Sequence, residues 1–204
     1  MHYPVNMNNI LLVYLVISFA HLSFRSEGYQ FLGNLTKVLL MPTLMLFLMQ
    51  QGDYPLLLAA LLFATIGDAL LTKGNQGTLF LWGMASFAVC HIFYGIHVLS
   101  LGVDWILTAI AFAGLMIPYS LLYRLIGKQK GSVKYLAYTM LLFLLASLLT
   151  GLASLLCILG ILLFIISDTM IGMDSLAMKH VNDTSIMGSY ILAQLLLVLG
   201  FTAL

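Results

Sequence analysis

The stretch LASLLCILGILLFIISDTMIGM, residues 152–173, contains one charged side chain, that of Asp168. An earlier apolar stretch, LLLAALLFATIGDALL at residues 56–71, likewise contains one, that of Asp68. A carboxylate in the hydrocarbon layer of a membrane costs about 2.5–3.5 kcal/mol on insertion scales. The whole chain has only seven acidic residues, and two of them lie in these stretches. We therefore interpret Asp68 and Asp168 as candidate functional residues.

The composition places these stretches in a membrane. Hydrophobic residues make up 62% of the 204 residues and charged residues 7%, whereas soluble domains have about 25% charged residues. No linker or low-complexity tract divides the chain, so we expect one integral-membrane domain over residues 1–204. The net charge of +1 indicates no nucleic-acid partner. Cys90 and Cys157 lie in apolar runs and are expected to be packing residues.

Turn-like and charged clusters cut the chain into segments long enough to cross a bilayer. The predicted fold is an all-α membrane protein, a single bundle of eight transmembrane helices. The break at Thr150-Gly151 has the weakest turn chemistry, and without it the count is seven. The predicted spans are residues 8–24, 31–50, 55–72, 78–100, 104–124, 134–149, 152–173 and 184–204.

The distribution of basic residues predicts the orientation of these spans. With eight spans, every second loop lies on the same side of the membrane. The loops on one side contain every Lys and Arg outside the second span, whereas the charged residues on the opposite side are Asp53 and Asp104. By the positive-inside rule, the basic loops are cytoplasmic and both termini lie on the non-cytoplasmic side. The basic residues are Arg25, Lys73, Arg124, Lys128, Lys130, Lys134 and Lys179.

This topology gathers polar side chains in the cytoplasmic half of the membrane. The eighth basic residue, Lys37, lies about 9 Å inside the second span, at 1.5 Å per residue. Asp68 and Asp168 each lie about one turn above a cytoplasmic helix end. Two pairs share helix faces because of their spacing, and Ser167 adjoins Asp168. The pairs are His91 with Tyr94 and Tyr190 with Gln194.

Structural interpretations of these residues stay open. The stem of Lys37 is long enough to snorkel to the interface, or Lys37 pairs with an aspartate for purely structural reasons. A second interpretation of Asp68 and Asp168 is that both are carboxylates at helix ends, where they contact water. His91 is also interpretable as a core histidine, and the tyrosines as packing residues. We expect three histidines near span ends to be interfacial: His21, His97 and His180.

A partial repeat connects the two stretches quoted first. Leu62, Ile66 and Asp68 recur one hundred residues later as Leu162, Ile166 and Asp168. The third and seventh predicted spans have the same direction, so the match is compatible with a parallel duplication of four spans.

Several short motifs follow one another along the chain. They are Thr36-Lys37, Gly67-Asp68 with Leu70-Leu71, Phe87 with His91 and Tyr94, Ser167-Asp168, and Tyr190 with Gln194. Their order and spacing resemble the YhhN family, the lysoplasmalogenase group of polytopic membrane proteins, from about residue 30 to 200. One departure is that Pro42 lies five residues after Lys37, where the family has a Lys-Pro dipeptide.

The resemblance implies hydrolysis of the vinyl ether bond of a lysoplasmalogen, giving a fatty aldehyde and a glycerophospho-ethanolamine or -choline. Such a reaction begins with proton transfer to carbon and passes through an oxocarbenium-like cation. A carboxylic acid and a second, ionised carboxylate suit these two needs. Asp68 and Asp168 are the expected catalytic pair, in either order. The expected supporting or substrate-binding residues are Lys37, His91, Tyr94, Tyr190, Gln194 and Ser167.

Two other functions remain compatible with the sequence. Membrane-embedded Asp, Lys and His also serve proton-coupled transporters of small solutes, in which helices are often interrupted. Pro42 and Pro118 are the candidate interruptions here. A lipid-binding membrane protein without catalysis is the third possibility. The expected partners are a lysophospholipid and the bilayer, with no metal or other cofactor and with an oligomeric state that the sequence leaves open. The expected location is a membrane crossed several times by the chain, which is the plasma (inner) membrane if the source is a bacterium.

Overall fold

The computed structural model describes residues 7–73, 77–129, 131–176, 178 and 181–204. Within these ranges the chain is all-α and forms eight helices, which confirms the predicted fold class. The predicted span ends differ from the observed helix ends by at most three residues. The helices are α1 (Met7–Ser26), α2 (Gln30–Gln51), α3 (Pro55–Leu71), α4 (Gly77–Leu101), α5 (Trp105–Ile126), α6 (Ser132–Gly151), α7 (Leu155–Ser175) and α8 (Asp183–Thr202).

Local sequence chemistry explains where several helices begin and end. The Asp104 carboxylate caps α5 by accepting hydrogen bonds from the backbone N–H groups of Ile106 and Leu107, both at 2.9 Å. The side chain of Asn182 caps α8 in the same way. The weakest predicted break is a genuine turn, because α6 ends at Gly151 and Ala153 adopts a φ of 58° before α7 begins.

Most of these helices can cross a bilayer. Over the described residues, seven have the length and hydropathy of a membrane span. The eighth, α3, is apolar and has 17 residues, the lower end of the spanning range of about 17–25. Pro42 and Pro118 lie inside α2 and α5, which continue through them. Large apolar side chains cover the exposed faces, for example Phe19 and Ile106, each 75% exposed, as expected of a surface in contact with lipid.

The orientation of the termini and the organisation as one domain stay predictions. Lys130 and Lys179, which entered the orientation argument, lie outside the described residues, as does His180. The interfacial assignment of two other histidines was wrong. His21 is completely buried and His97 is 9% exposed, because both lie on the faces of their helices that pack against protein.

The chain divides into two compact units, the first ending at Cys90 and the second running from His91 to Leu204. In the first unit α2 packs against both α1 and α3. The close approach of α3 to the first half of α4 depends on Gly67, where an added Cβ would lie 2.7 Å from the ring of Phe87. The hydroxyl of Ser86 donates to the Phe63 carbonyl, 2.7 Å away, and links the same helices.

In the second unit α6 packs against α5 and α7, and α7 packs closely against α8. Two glycines permit this last contact. An added Cβ on Gly160 would lie 3.0 Å from the Ala193 carbonyl oxygen, and one on Gly200 would lie 2.9 Å from the backbone nitrogen of Cys157. Small residues that let helix backbones approach are typical of membrane helix interfaces.

The buried positions of α3 and α7 follow the same register. Six of the seven buried residues of α3 have a buried counterpart in α7 one hundred residues later. The two aspartates are one such pair, so each lies on the packed stripe of its helix. This agreement extends the short repeat seen in the sequence and favours a duplication. The six pairs are Leu57/Cys157, Ala60/Gly160, Leu61/Ile161, Ala64/Phe164, Gly67/Ser167 and Asp68/Asp168.

The close contact of α7 and α8 allows us to predict the effect of a substitution at Gly160 on stability. Gly160→Ala would press a methyl group against backbone atoms of α8, which cannot rotate away, and we expect a loss of about 1–3 kcal/mol. Gly188→Ala is the matched control, since an added Cβ there meets nothing within 4 Å. Thermal unfolding in detergent should show a lower Tm for the first variant alone. Equal Tm values would contradict the tight packing at Gly160.

Candidate functional site

Asp68 lies on the buried face of α3 and is 1% exposed. The ammonium nitrogen of Lys37, one helix earlier, lies 3.9 Å from its Oδ1 atom, and the Lys37 side chain is only 16% exposed. Lys37 therefore forms an ion pair inside the first unit. The burial of Asp68 excludes the interpretation of a helix-end carboxylate in contact with water.

Helix α1 adds two polar side chains to this unit. Tyr14 is completely buried, and its hydroxyl group interacts electrostatically with the carboxyl group of Asp68. About two turns further on, Nδ1 of His21 lies 3.0 Å from both the Gly33 carbonyl oxygen and the Thr36 hydroxyl oxygen. His21 thus ties α1 to the first two turns of α2, directly before Lys37. Neither role was predicted from the sequence, because the first span has no diagnostic motif.

Asp168 occupies the corresponding position of α7 in the second unit and is 8% exposed. The hydroxyl of Tyr138, from α6, donates a hydrogen bond to Oδ2 of its carboxyl group. The hydroxyl of Tyr135, one turn earlier, donates to the backbone carbonyl of Asp168. Gly172 leaves space for the Tyr135 ring, since an added Cβ would overlap it. Two tyrosines of α6 therefore hold α7 at Asp168.

A buried aromatic cluster adjoins this carboxyl group in the second unit. The ring of His91, 1% exposed, makes an edge contact with Tyr138 at a centroid distance of 6.0 Å. It makes a closer edge contact with Phe164 at 4.4 Å, and Phe164 in turn contacts Tyr190 at 5.5 Å. Phe164 precedes Asp168 by one turn of α7, so both lie on the same face of that helix.

A hydrogen-bonded pair extends the same cluster. The Tyr94 hydroxyl donates to Oε1 of Gln194 over 2.8 Å, and both side chains are completely buried. The Tyr94 ring stacks on the ring of Phe201 at a centroid distance of 5.6 Å and makes an edge contact with the ring of His91 at 6.2 Å. Nε2 of Gln194 has no hydrogen-bond partner within the described residues. A buried amide donor of this kind suits a ligand with an acceptor oxygen, because leaving it unsatisfied costs about 1–3 kcal/mol.

The structure thus brings together five of the residues predicted from the sequence. Direct contacts within the second unit connect them through Tyr138 and Phe164, which the sequence analysis missed. Ser167 has a different role, since its hydroxyl donates to the Ile186 carbonyl at 3.0 Å and joins α7 to α8. The five connected residues are His91, Tyr94, Asp168, Tyr190 and Gln194.

The polar groups of the two units are carboxyl, ammonium, phenol, imidazole and amide groups in apolar surroundings. Among the described residues, no three His, Cys, Asp or Glu side chains are placed so that they could hold one metal ion. Such groups can donate a proton, accept one, or hydrogen-bond a hydroxyl or water.

The fold and the site define a class of protein. It is a polytopic helical membrane protein with a buried carboxyl group in each of two units. Comparison with protein families makes this more specific. The model of the YhhN family matches residues 32–201, and the chain belongs to this family. No curated protein and no solved structure shows a significant match to the chain.

Proposed function

We propose that this protein hydrolyses the vinyl ether bond of a lysoplasmalogen or a related lyso-ether lipid, with Asp68 and Asp168 as the acid–base pair. The observation that carries the proposal is the buried Asp168 carboxyl group, held by Tyr138 and next to the cluster of His91, Tyr94 and Gln194. Membership of the YhhN family supports it. In this reaction one carboxylic acid protonates the β-carbon of the vinyl ether, and the other carboxylate stabilises the cation and activates water.

The remaining groups fit the parts of such a substrate. Water adds to the oxocarbenium carbon, and the resulting hemiacetal separates into the aldehyde and the glycerol hydroxyl. Gln194 Nε2, a buried donor, is suited to a hydroxyl oxygen of the glycerol backbone or to the attacking water. Phe164 and Tyr190 provide an apolar wall beside it. Lys37 keeps Asp68 ionised.

Product analysis tests the reaction class. The protein, purified and reconstituted in vesicles, is expected to release a long-chain aldehyde from 1-alkenyl-lysophosphatidylethanolamine. The matched 1-alkyl lipid should stay intact, because it has no double bond to protonate. In D₂O the aldehyde should carry one deuterium on carbon 2, the former β-carbon. Transfer of unchanged lipid or solute across the vesicle membrane, without aldehyde, would contradict hydrolysis and support a carrier.

A further inference from the structure

A buried amide group in the second unit has one end bonded and the other end unpaired. The carbonyl oxygen Oε1 of Gln194 accepts the hydrogen bond of the Tyr94 hydroxyl over 2.8 Å. The amide nitrogen Nε2 of Gln194 has no hydrogen-bond partner within the described residues. Both side chains are 0% exposed. An unpaired buried donor destabilises the folded protein unless a ligand or a water molecule completes it.

This amide belongs to the same cluster of side chains as the Asp168 carboxyl group, within the second unit alone. Tyr94, the partner of Gln194, makes an edge contact with His91. His91 makes another with Tyr138, whose hydroxyl donates to the Asp168 carboxyl group. Along these contacts the exposed fraction rises from 0% at Gln194 to 1% at His91 and 8% at Asp168. The amide is therefore an inner polar group of the cluster, and the carboxyl group lies nearer to its surface.

We propose that Gln194 binds the free hydroxyl group on C2 of the glycerol backbone of a lyso-ether lipid and selects lipids that carry it. Tyr94 is the positioning residue for this amide. The inference rests on the proposed function, since it specifies how the substrate of that function is recognised. It assigns the amide nitrogen to the lipid hydroxyl rather than to the attacking water.

The chemistry of the lipid decides which of its oxygen atoms fits this donor. The lone pair of the vinyl ether oxygen is delocalised into the double bond, so this oxygen is a weak acceptor. A phosphate oxygen is charged, and one neutral amide does not offset the burial of a charge. The C2 hydroxyl oxygen is neutral and a good acceptor. A water molecule in this place would need about two to four polar partners, whereas the hydroxyl is held there by the lipid that carries it.

The burial of Gln194 also limits what C2 can carry. Protein interiors are closely packed, so a side chain that is 0% exposed can be approached by a hydroxyl group but not by a long acyl chain at the same carbon. The hydroxyl lies one carbon from C1, whose oxygen bears the alkenyl group. A hydrogen bond to Gln194 therefore also restricts where the vinyl ether lies, which is how binding of a remote group aids a reaction.

The Tyr94 hydroxyl determines which end of the amide is available to a ligand. Because it donates to Oε1, the nitrogen end of the Gln194 amide is left for another partner. The Tyr94 ring is itself fixed by stacking on Phe201 at a centroid distance of 5.6 Å. Tyr94→Phe keeps this ring packing and lets the amide rotate. Tyr119→Phe is the matched control, since it removes a hydroxyl that donates to the Leu136 carbonyl at 3.1 Å.

A competition between two lipids tests this recognition without any turnover. The full-length protein in detergent is given equal amounts of 1-alkyl-lysophosphatidylethanolamine and its 2-deoxy analogue, and native mass spectrometry measures the ratio of the two bound lipids. We expect the wild type to prefer the hydroxyl lipid by about 10-fold, because a donor already removed from water gains the full hydrogen bond on binding. Gln194→Met should lower this preference to less than about twofold, Tyr94→Phe to an intermediate value, and Tyr119→Phe should keep it.

Three results would overturn the proposal: equal binding of both lipids by the wild type, an unchanged preference in Gln194→Met, or the same loss of preference in Tyr119→Phe. If Gln194→Met does not fold, the double variant Tyr94→Phe/Gln194→Met takes its place, because replacing both partners of a buried hydrogen bond with apolar groups is nearly neutral. Neither lipid has a double bond to protonate, so the ratio does not depend on hydrolysis. The expected ratios without aldehyde release in the product assay would reject the hydrolysis alone, and aldehyde release with equal binding would reject the hydroxyl site alone.

Discussion

Asp168→Asn is expected to reduce aldehyde release by about 10²- to 10⁴-fold, the usual contribution of a general acid or base. The asparagine amide has the size of the carboxyl group and can still accept the Tyr138 hydrogen bond through its oxygen, but it can neither donate nor accept the catalytic proton. The packing of α7 should therefore survive while the proton transfer does not. The measurement is the initial rate of aldehyde formation in vesicles, with thermal unfolding as the check on folding.

A control at a different aspartate isolates the effect. Asp104→Asn makes the same chemical change at the N-cap of α5, where asparagine is as good a capping residue as aspartate. We expect this variant to keep wild-type activity and stability. If Asp168→Asn keeps more than half of the wild-type rate, Asp168 has no part in the proton transfer and the two-aspartate mechanism fails.

Lys37→Met is expected to destabilise the protein by about 3–5 kcal/mol, because it leaves the buried Asp68 carboxylate without its ammonium partner. Reversible unfolding in mixed micelles measures this loss. The double variant Lys37→Met/Asp68→Leu should recover most of it, since replacing both members of a buried pair with apolar groups is often neutral or stabilising.

Activity separates the structural role of this pair from its chemical role. The double variant should be folded but inactive, because one of the two carboxyl groups of the proposed reaction is missing. A folded double variant with wild-type activity would contradict any catalytic role for Asp68. A single Lys37→Met variant as stable as the wild type would show that the 3.9 Å contact contributes little to the fold.

The sequence was sufficient to predict the helices. Stretches of about 20 apolar residues, with Pro55 and Asp104 at their starts and Gly151 at an end, specify spans through local chemistry alone. The burial of Asp68 and Asp168 could also be predicted from the sequence, because a charged side chain in an apolar span must face protein rather than lipid.

The partners of these residues were harder to predict. Tyr138 lies among apolar residues of α6 and resembles an ordinary packing residue, because phenol groups occur on both polar and apolar surfaces. Its role depends on which helices are neighbours, which composition does not specify. The repeat did not predict it either, because the spacing of 100 residues that relates the aspartates moves Lys37 onto Ala137. Tyr14 had no comparable signal.

His21 has a consequence for anyone who divides this protein into parts. The family match begins at residue 32, after α1 has ended, yet His21 bonds the backbone of Gly33 and the hydroxyl of Thr36 within the matched region. A gene trimmed to the matched segment would encode an α2 that lacks this brace and exposes the face that α1 covers. The segment that matches the family is therefore shorter than the segment that must be synthesised to obtain the native pair of α1 and α2.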